Sequence, residues 1–320
     1  MILRSAAICV LCAVTGVASA QAWPAKPIRL IVGFAPGGVT DIVARALGQK
    51  LYERLGQQVV VDNRAGGSGT IAAVTTAKSP PDGYTLLMSS ISTMATNVST
   101  VKNLPYDPVR DFAPVTLALV TPYLATVTAA TPANNFRELI ALAKARPGQL
   151  NFGSSGTGGG AHLAVELLKV MAGIDLTHVP YKGSSLALND LLGGHIQLTF
   201  SQPPIVLPHI RSGKLKGLAI SSAQRLSALP EFPTIAESGV AGYEATSWQG
   251  IVAPAATPRA IVTLLNGEIR RALQLPEIGA RLAAEGSEPG NTTPGEFGAY
   301  IRREIAKWQR VVKTSGIKTE

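Results

Sequence analysis

Cysteine is nearly absent from this 320-residue chain, and its two copies, Cys9 and Cys12, both fall within the first twenty residues. That opening stretch holds Arg4, an apolar run from Ser5 to Val17 and the small-residue triplet Ala18-Ser19-Ala20, the pattern of a secretory leader cut between Ala20 and Gln21. The run is shorter than the ~20 residues of a membrane-spanning helix, which disfavours an uncleaved anchor. A lipoprotein signal wants a small residue before its cysteine, whereas Ile8 and Leu11 stand there. A mature chain starting at Gln21 in the periplasm therefore has no cysteine, which excludes disulfides, thiolate metal sites and cysteine nucleophiles together.

Other scarcities narrow the field. Beyond the leader no apolar run reads as transmembrane, since Val115 to Ala130 is interrupted by Pro122 and laced with threonine, as in a buried strand pair. Charged residues make up only 15% of the chain, with a formal charge of +9 that drops by one when Arg4 leaves with the leader. The densest basic stretch, Arg302, Arg303, Lys307, Arg310 and Lys313, has helical spacing and no interleaved stacking aromatics, so it reads as a solvated helix face and not as a nucleic-acid surface. There is no G-x-S-x-G elbow and no Walker lysine. The four histidines, His162, His178, His195 and His209, form no close ligand pair; no metal site is expected.

Glycine, by contrast, is plentiful, with 32 copies. Ile28 to Phe34 reads as a strand, followed by Ala35-Pro36-Gly37-Gly38 and by a helix from Thr40 to Leu55 in which Val43, Leu47, Leu51 and Leu55 recur at four-residue steps. Gln58 to Val61 is the next strand, and Tyr84 to Ser89 follows a second glycine-rich turn and helix. The alternation predicts an α/β architecture, and about 300 mature residues predict two domains. A further unit runs from Leu150 to Phe152 through Gly153 to Gly160 into a helix over Ala161 to Ala172, closed by Gly173. Thr131-Pro132 and Thr257-Pro258 match the Thr N-cap and first-position Pro of two more helices.

Two glycine-rich loops thus each follow a strand and open a helix. Helix starts carry unpaired N–H groups and partial positive charge, and glycine lets an anion approach them. Phe34 would add an apolar wall, and Asp41 is read as a residue that caps the helix or orders the loop. Two enzyme readings compete. Gly156 to Ala161 fits G-x-G-x-x-A, with Asp175 downstream, as in a nicotinamide-binding unit; Ser154 or Ser155 with His162 would suit a serine hydrolase.

The run Trp23-Pro24-Ala25-Lys26-Pro27-Ile28-Arg29 into Phe34-Ala35-Pro36-Gly37-Gly38, Pro81-Asp82-Gly83-Tyr84, Leu104-Pro105-Tyr106-Asp107-Pro108, His178-Val179-Pro180-Tyr181-Lys182-Gly183 and Trp248 with Ala253-Pro254 resembles the Bug family of tripartite tricarboxylate transporter substrate-binding proteins. The likeness spans the mature chain. It implies a type II periplasmic-binding-protein fold, with one lobe over 21–122 and 225–320, a second over 123–224, and a ligand cleft between them. It also implies a monomeric receptor, not an enzyme and without a cofactor, that captures a small carboxylate and delivers it to membrane permease subunits; a sensor kinase ectodomain is the alternative partner. The ligand-binding residues so implied are Phe34, Ala35, Pro36, Gly37 and Gly38 of the first loop and Ser154, Ser155, Gly156, Thr157 and Gly158 of the second. Ser89, Ser90, Thr93 and the segment Ser201-Gln202-Pro203-Pro204 are expected to tune selectivity.

Overall fold

The computed structural model describes residues 23–315 except 285, so the leader and its cleavage point lie outside the described residues. In chain order the elements are β1 (Ile28–Val32), α1 (Val39–Leu55), β2 (Val59–Asn63), α2 (Thr70–Ala77), β3 (Thr85–Ser90), α3 (Asn97–Thr100), β4 (Phe112–Pro122), β5 (Leu124–Thr128), α4 (Phe136–Ala145), β6 (Asn151–Ser154), α5 (Gly160–Ala172), β7 (Thr177–Pro180), α6 (Ser184–Leu192), β8 (Leu198–Ser201), α7 (Pro203–Arg211), β9 (Leu215–Ile220), β10 (Thr246–Pro254), α8 (Arg259–Leu273), α9 (Pro276–Ala284), β11 (Glu288–Pro289) and α10 (Pro294–Ser315).

The strands form two sheets, one ordered β11-β4-β10-β3-β1-β2 and the other β7-β6-β8-β5-β9. Helices cover both, giving two α/β lobes. In the first lobe β1 pairs in parallel with β2 and β3, and its Leu30, Ile31 and Val32 are fully buried. A near-continuous apolar run is what a parallel strand covered on both faces requires, and each such side chain contributes about 1.5–3 kcal/mol. Arg29 interrupts the run and is tied to Asp62 on β2. The threonine-rich segment around Pro122 is indeed a strand pair, β4 and β5, but its members belong to different sheets, with Tyr123 at the crossover.

The chain crosses back later than expected. Residues beyond 225 remain on the second lobe: Ile235 donates to Ile220 O at 2.9 Å, Tyr243 donates to Ala164 O of α5, and Ala245 N reaches Ser221 O. The return comes with β10, which joins β3 and β4. The Thr-Pro pairs also act otherwise than as helix starts. α4 is capped by Asn135, whose side chain accepts from Glu138 N, while Thr257 donates to Pro254 O and so closes a turn before α8. In both places a threonine hydroxyl serves the turn ahead of the helix.

Candidate functional site

A cavity of about 40 Å³ lies between the lobes, at the ends of β1, β3, β6 and β8 where helices begin. Three helix starts converge on it: Gly38 and Thr40 of α1, Gly160 and Ala161 of α5, and Ser184 of α6. The N-caps of these helices, Gly38, Gly159 and Gly183, supply no side-chain hydrogen bond, so no capping side chain takes up the first-turn amides. A fourth helix, α7, begins beside the cavity with Pro203 and Pro204, which have no N–H to offer; Gln202 lines the wall in their place. Among the described residues no lysine, arginine, aspartate or glutamate lines the cavity. Any attraction these walls offer an anion therefore rests on peptide dipoles, each helix start favouring an anion by up to about 2 kcal/mol when partly buried.

The expected first-loop residues divide by role. Phe34 and Gly38 line the cavity. Ala35, Pro36 and Gly37 instead bridge or brace: Ala35 N donates to Lys182 O at 3.1 Å, Ser185 donates to Pro36 O at 2.9 Å, and Gly37 N donates to Asp41 Oδ2 at 3.0 Å. Asp41 orders the loop, accepting also from Arg45 and from Asn63 Nδ2, which itself reaches Phe34 O. Burial would raise the Asp41 pKa, but the hydrogen bonds from Arg45, Gly37 and Asn63 and the Arg45 charge outweigh it and hold the carboxyl below its usual value.

In the second loop Ser154 and Ser155 line the cavity, whereas Gly156 and Thr157 line a wider groove of about 470 Å³ on the other side of Phe34. Gly158 N is taken by His162 Nδ1 at 2.9 Å. Beneath this loop His162 and His178 stack with centroids 3.8 Å apart, and Phe152 continues the stack on His178. His178 Nε2 meets Ser154 Oγ at 2.7 Å, and burial, then the neighbouring His162, pushes the His178 pKa down to about 3. The serine–histidine pairing thus differs from the expected one. His162 holds a backbone amide and Glu166, while Ser154, bonded also to Gly156, braces the loop. Asp175 sits past the far end of α5, paired with Lys169, so it is at the wrong end of the helix to read a ribose beside Gly156.

Ser201 faces the cavity, as does Ser90, but Ser89 does not: it is fully buried and donates to Gly250 O at 2.8 Å. Thr93 is likewise engaged locally with Ser90. Residues the sequence reading missed complete the wall: Ser92, Tyr123, Ser184, Ser247 and Gln249. Ser247 and Gln249 alternate on β10, a strand that is otherwise apolar and buried after Thr246, and that pair of polar residues was the available signal.

Across the cleft the lobes touch. Ser68 donates to Thr157 O at 2.6 Å, adding to the Ala35–Lys182 and Ser185–Pro36 bonds. The loop glycines permit this approach. A Cβ on Gly156 would stand 2.5 Å from Ser68 Oγ, and one on Gly183 3.0 Å from Ala35 N. These contacts join the two lobes across the cleft.

The family model described as the tripartite tricarboxylate transporter family receptor matches residues 43–317. The chain is 42% identical over 301 residues to Protein BugT of Bordetella pertussis, covering 94% of this chain and 92% of that protein. Among solved structures, R. palustris Rpa4515 with adipate superposes with a TM-score of 0.91 at 41% identity, over 93% of this chain and all of that one. MatC of Rhodopseudomonas palustris with bound malate gives 0.86 at 31% identity, over 91% of this chain and 100% of the other.

Proposed function

The chain belongs to the tripartite tricarboxylate transporter receptor family, and from that premise we propose that it is a periplasmic receptor that closes its two lobes on a small carboxylic acid and delivers it to membrane permease subunits. The observation that carries the reading is the convergence of three helix starts, without side-chain caps, on one interlobe cavity that no cationic side chain among the described residues lines. Such a cavity favours an anion small enough to meet peptide N–H groups from both lobes. Relatives seen with adipate and malate are consistent with a carboxylate. Phe34, Gly38, Ser154, Ser155 and Ser201 are its proposed contacts, with Ala35, Pro36, Gly37, Gly156, Thr157 and Gly158 shaping the loops that meet around it.

Closure is the working step. A ligand that touches both lobes binds the closed form better, and moving the population from 1:99 to 99:1 takes a ~10⁴-fold preference. The amides at the helix starts are already oriented, so little reordering opposes binding. Thermal-shift screening of the mature protein against mono-, di- and hydroxycarboxylic acids, sugars and cations tests the proposal. Stabilisation by one or more acids is expected; stabilisation by sugars or cations alone would overturn it.

A further inference from the structure

The second glycine loop meets the first lobe at its tip and is held from beneath by two histidines. Thr157 O receives Ser68 Oγ at 2.6 Å, and a Cβ placed on either neighbour of Thr157 would collide with the same lobe, on Gly156 with Ser68 and on Gly158 with Thr100. Each neighbour is tied to one ring. Gly158 N donates to His162 Nδ1 at 2.9 Å, while Gly156 exchanges bonds with Ser154 Oγ, its N at 3.2 Å and its O at 3.0 Å, and that hydroxyl meets His178 Nε2 at 2.7 Å. A backbone N–H can only donate, so His162 Nδ1 carries no proton and the neutral ring keeps its own on Nε2, which faces Glu166 Oε1 at 3.6 Å. Glu166 is in turn fixed by Lys169 at 3.1 Å. The rings stack on each other and on Phe152, which sets their planes, and neither is part of the cavity wall.

We infer that His162 and His178 are positioning residues for ligand capture: they act through Gly158 and Ser154 to hold Thr157 where Ser68 reaches it, and so favour the meeting of the lobes around the ligand. This rests on the proposed function, which makes that meeting the step that traps the acid. Five of the eight residues from 153 to 160 are glycine, and glycine loses more conformational freedom on ordering than any other residue. A carbonyl that is to meet a hydroxyl across a cleft therefore gains from having its conformation chosen beforehand. The two bonds fall on the residues either side of Thr157, where they restrict its carbonyl most directly. Stacking alone would be served by another phenylalanine, as Phe152 serves it; the ring nitrogens aimed at the loop do something that the stack does not require.

The test separates the two properties of each ring. His162→Asn sets an amide oxygen where Nδ1 stood and removes the stack, whereas His162→Phe keeps a stacked ring without an acceptor; His178→Gln and His178→Phe are the matching pair at the other position. Calorimetric Kd is measured with whichever of acetate, succinate, malate, glutarate and adipate binds wild type tightest, and the melting temperature is measured without ligand. Each phenylalanine variant should bind about 2- to 13-fold more weakly than wild type, the effect of one neutral hydrogen bond, while the asparagine and glutamine variants stay within about two-fold although they melt lower. Affinity that follows melting temperature across the variants would make the pair structural only and overturn the inference. Action through the loop tip is read in a Ser68→Ala background, where His162→Phe should cost less affinity than it does in wild type; an unchanged cost also overturns the inference. If the variants at one position do not fold, the pair at the other decides. Wild-type affinity in both phenylalanine variants rejects this inference alone; binding of none of these acids by wild type rejects the proposed function with it.

Discussion

Replacing Gly160 with alanine separates lobe closure from lobe folding. Gly160 opens α5 in ordinary helical geometry, so alanine is acceptable to the backbone and, by restricting the unfolded chain, stabilises by about 0.4–1 kcal/mol. The new Cβ, however, would lie 2.6 Å from Ile91 Cγ2 and would also collide with the Tyr123 hydroxyl. Both neighbours are almost fully buried, at 2% and 3% exposure, so neither has room to yield. Ile91 follows β3 on the first lobe while Gly160 belongs to the second, so parting the lobes relieves that overlap. Overpacking of this kind costs about 1–3 kcal/mol, and the part of it set by Ile91 falls on the closed form. Affinity should therefore drop by roughly 5- to 150-fold, while the melting temperature without ligand is unchanged or higher. Isothermal titration with the acid that gives the largest thermal shift in wild type measures the first quantity, and calorimetry of the ligand-free protein the second. Gly173→Ala is the control: with φ +61° and nothing within 4 Å it should lose about 1–2 kcal/mol of stability and keep its affinity. Gly160→Ala binding within two-fold of wild type, or losing stability in step with affinity, would refute the reasoning.

Three further outcomes are expected. Ser68→Ala removes a 2.6 Å bond made only when the lobes meet, so binding should weaken by about 2- to 13-fold with little change in ligand-free stability; an equal loss in both would place the bond elsewhere than at closure. Asp41→Ala breaks contacts to Gly37, Asn63 and Arg45 and should lower stability in urea by about 2–3 kcal/mol, less than for a fully buried pair because Arg45 is 53% exposed. No measurable change would mean that the loop does not depend on it. For pH, His178 is neutral in the folded protein down to about 3 but takes up a proton near 6.5 when unfolded. Unfolding therefore binds protons in that window, and stability falls as pH drops from 6.5 toward 3, by at most about 1.4 kcal/mol per pH unit before solvent screening. Denaturation of wild type and His178→Gln between pH 4.5 and 7 should show a shallower slope for the variant; parallel slopes would rule His178 out as the source.

The local grammar of the chain was enough for the strand and helix units, because each depends on periodicity and end signals within about twenty residues. Val43, Leu47 and Leu51 are buried on the inner face of α1, and Gly56 and Gly173 close their helices in the left-handed conformation. The two glycine loops were also legible, since strand, small residues and helix follow one another directly. Thr131 and Thr257 misled because an N-cap and a turn attract the same hydroxyl chemistry, and only the path of the following chain distinguishes them.

The tertiary structure decided which atoms face one another. Ser184 became a third helix start at the cavity because β7 runs beside β6 and brings α6 under the first lobe, and His162 and His178 stack because one lies on α5 and the other on the adjoining strand. The late return of the chain through β10 set Ser247 and Gln249 into the wall, and closure took Ala35, Pro36 and Thr157 for contacts between lobes. By itself the sequence determined a cysteine-poor α/β chain that opens on a leader-like stretch and carries helix-opening loops suited to an anion, since these follow from composition and short-range order. The shape and polarity of the cavity depend on residues more than a hundred positions apart meeting across two crossovers, and that distance in sequence is why folding alone decided them.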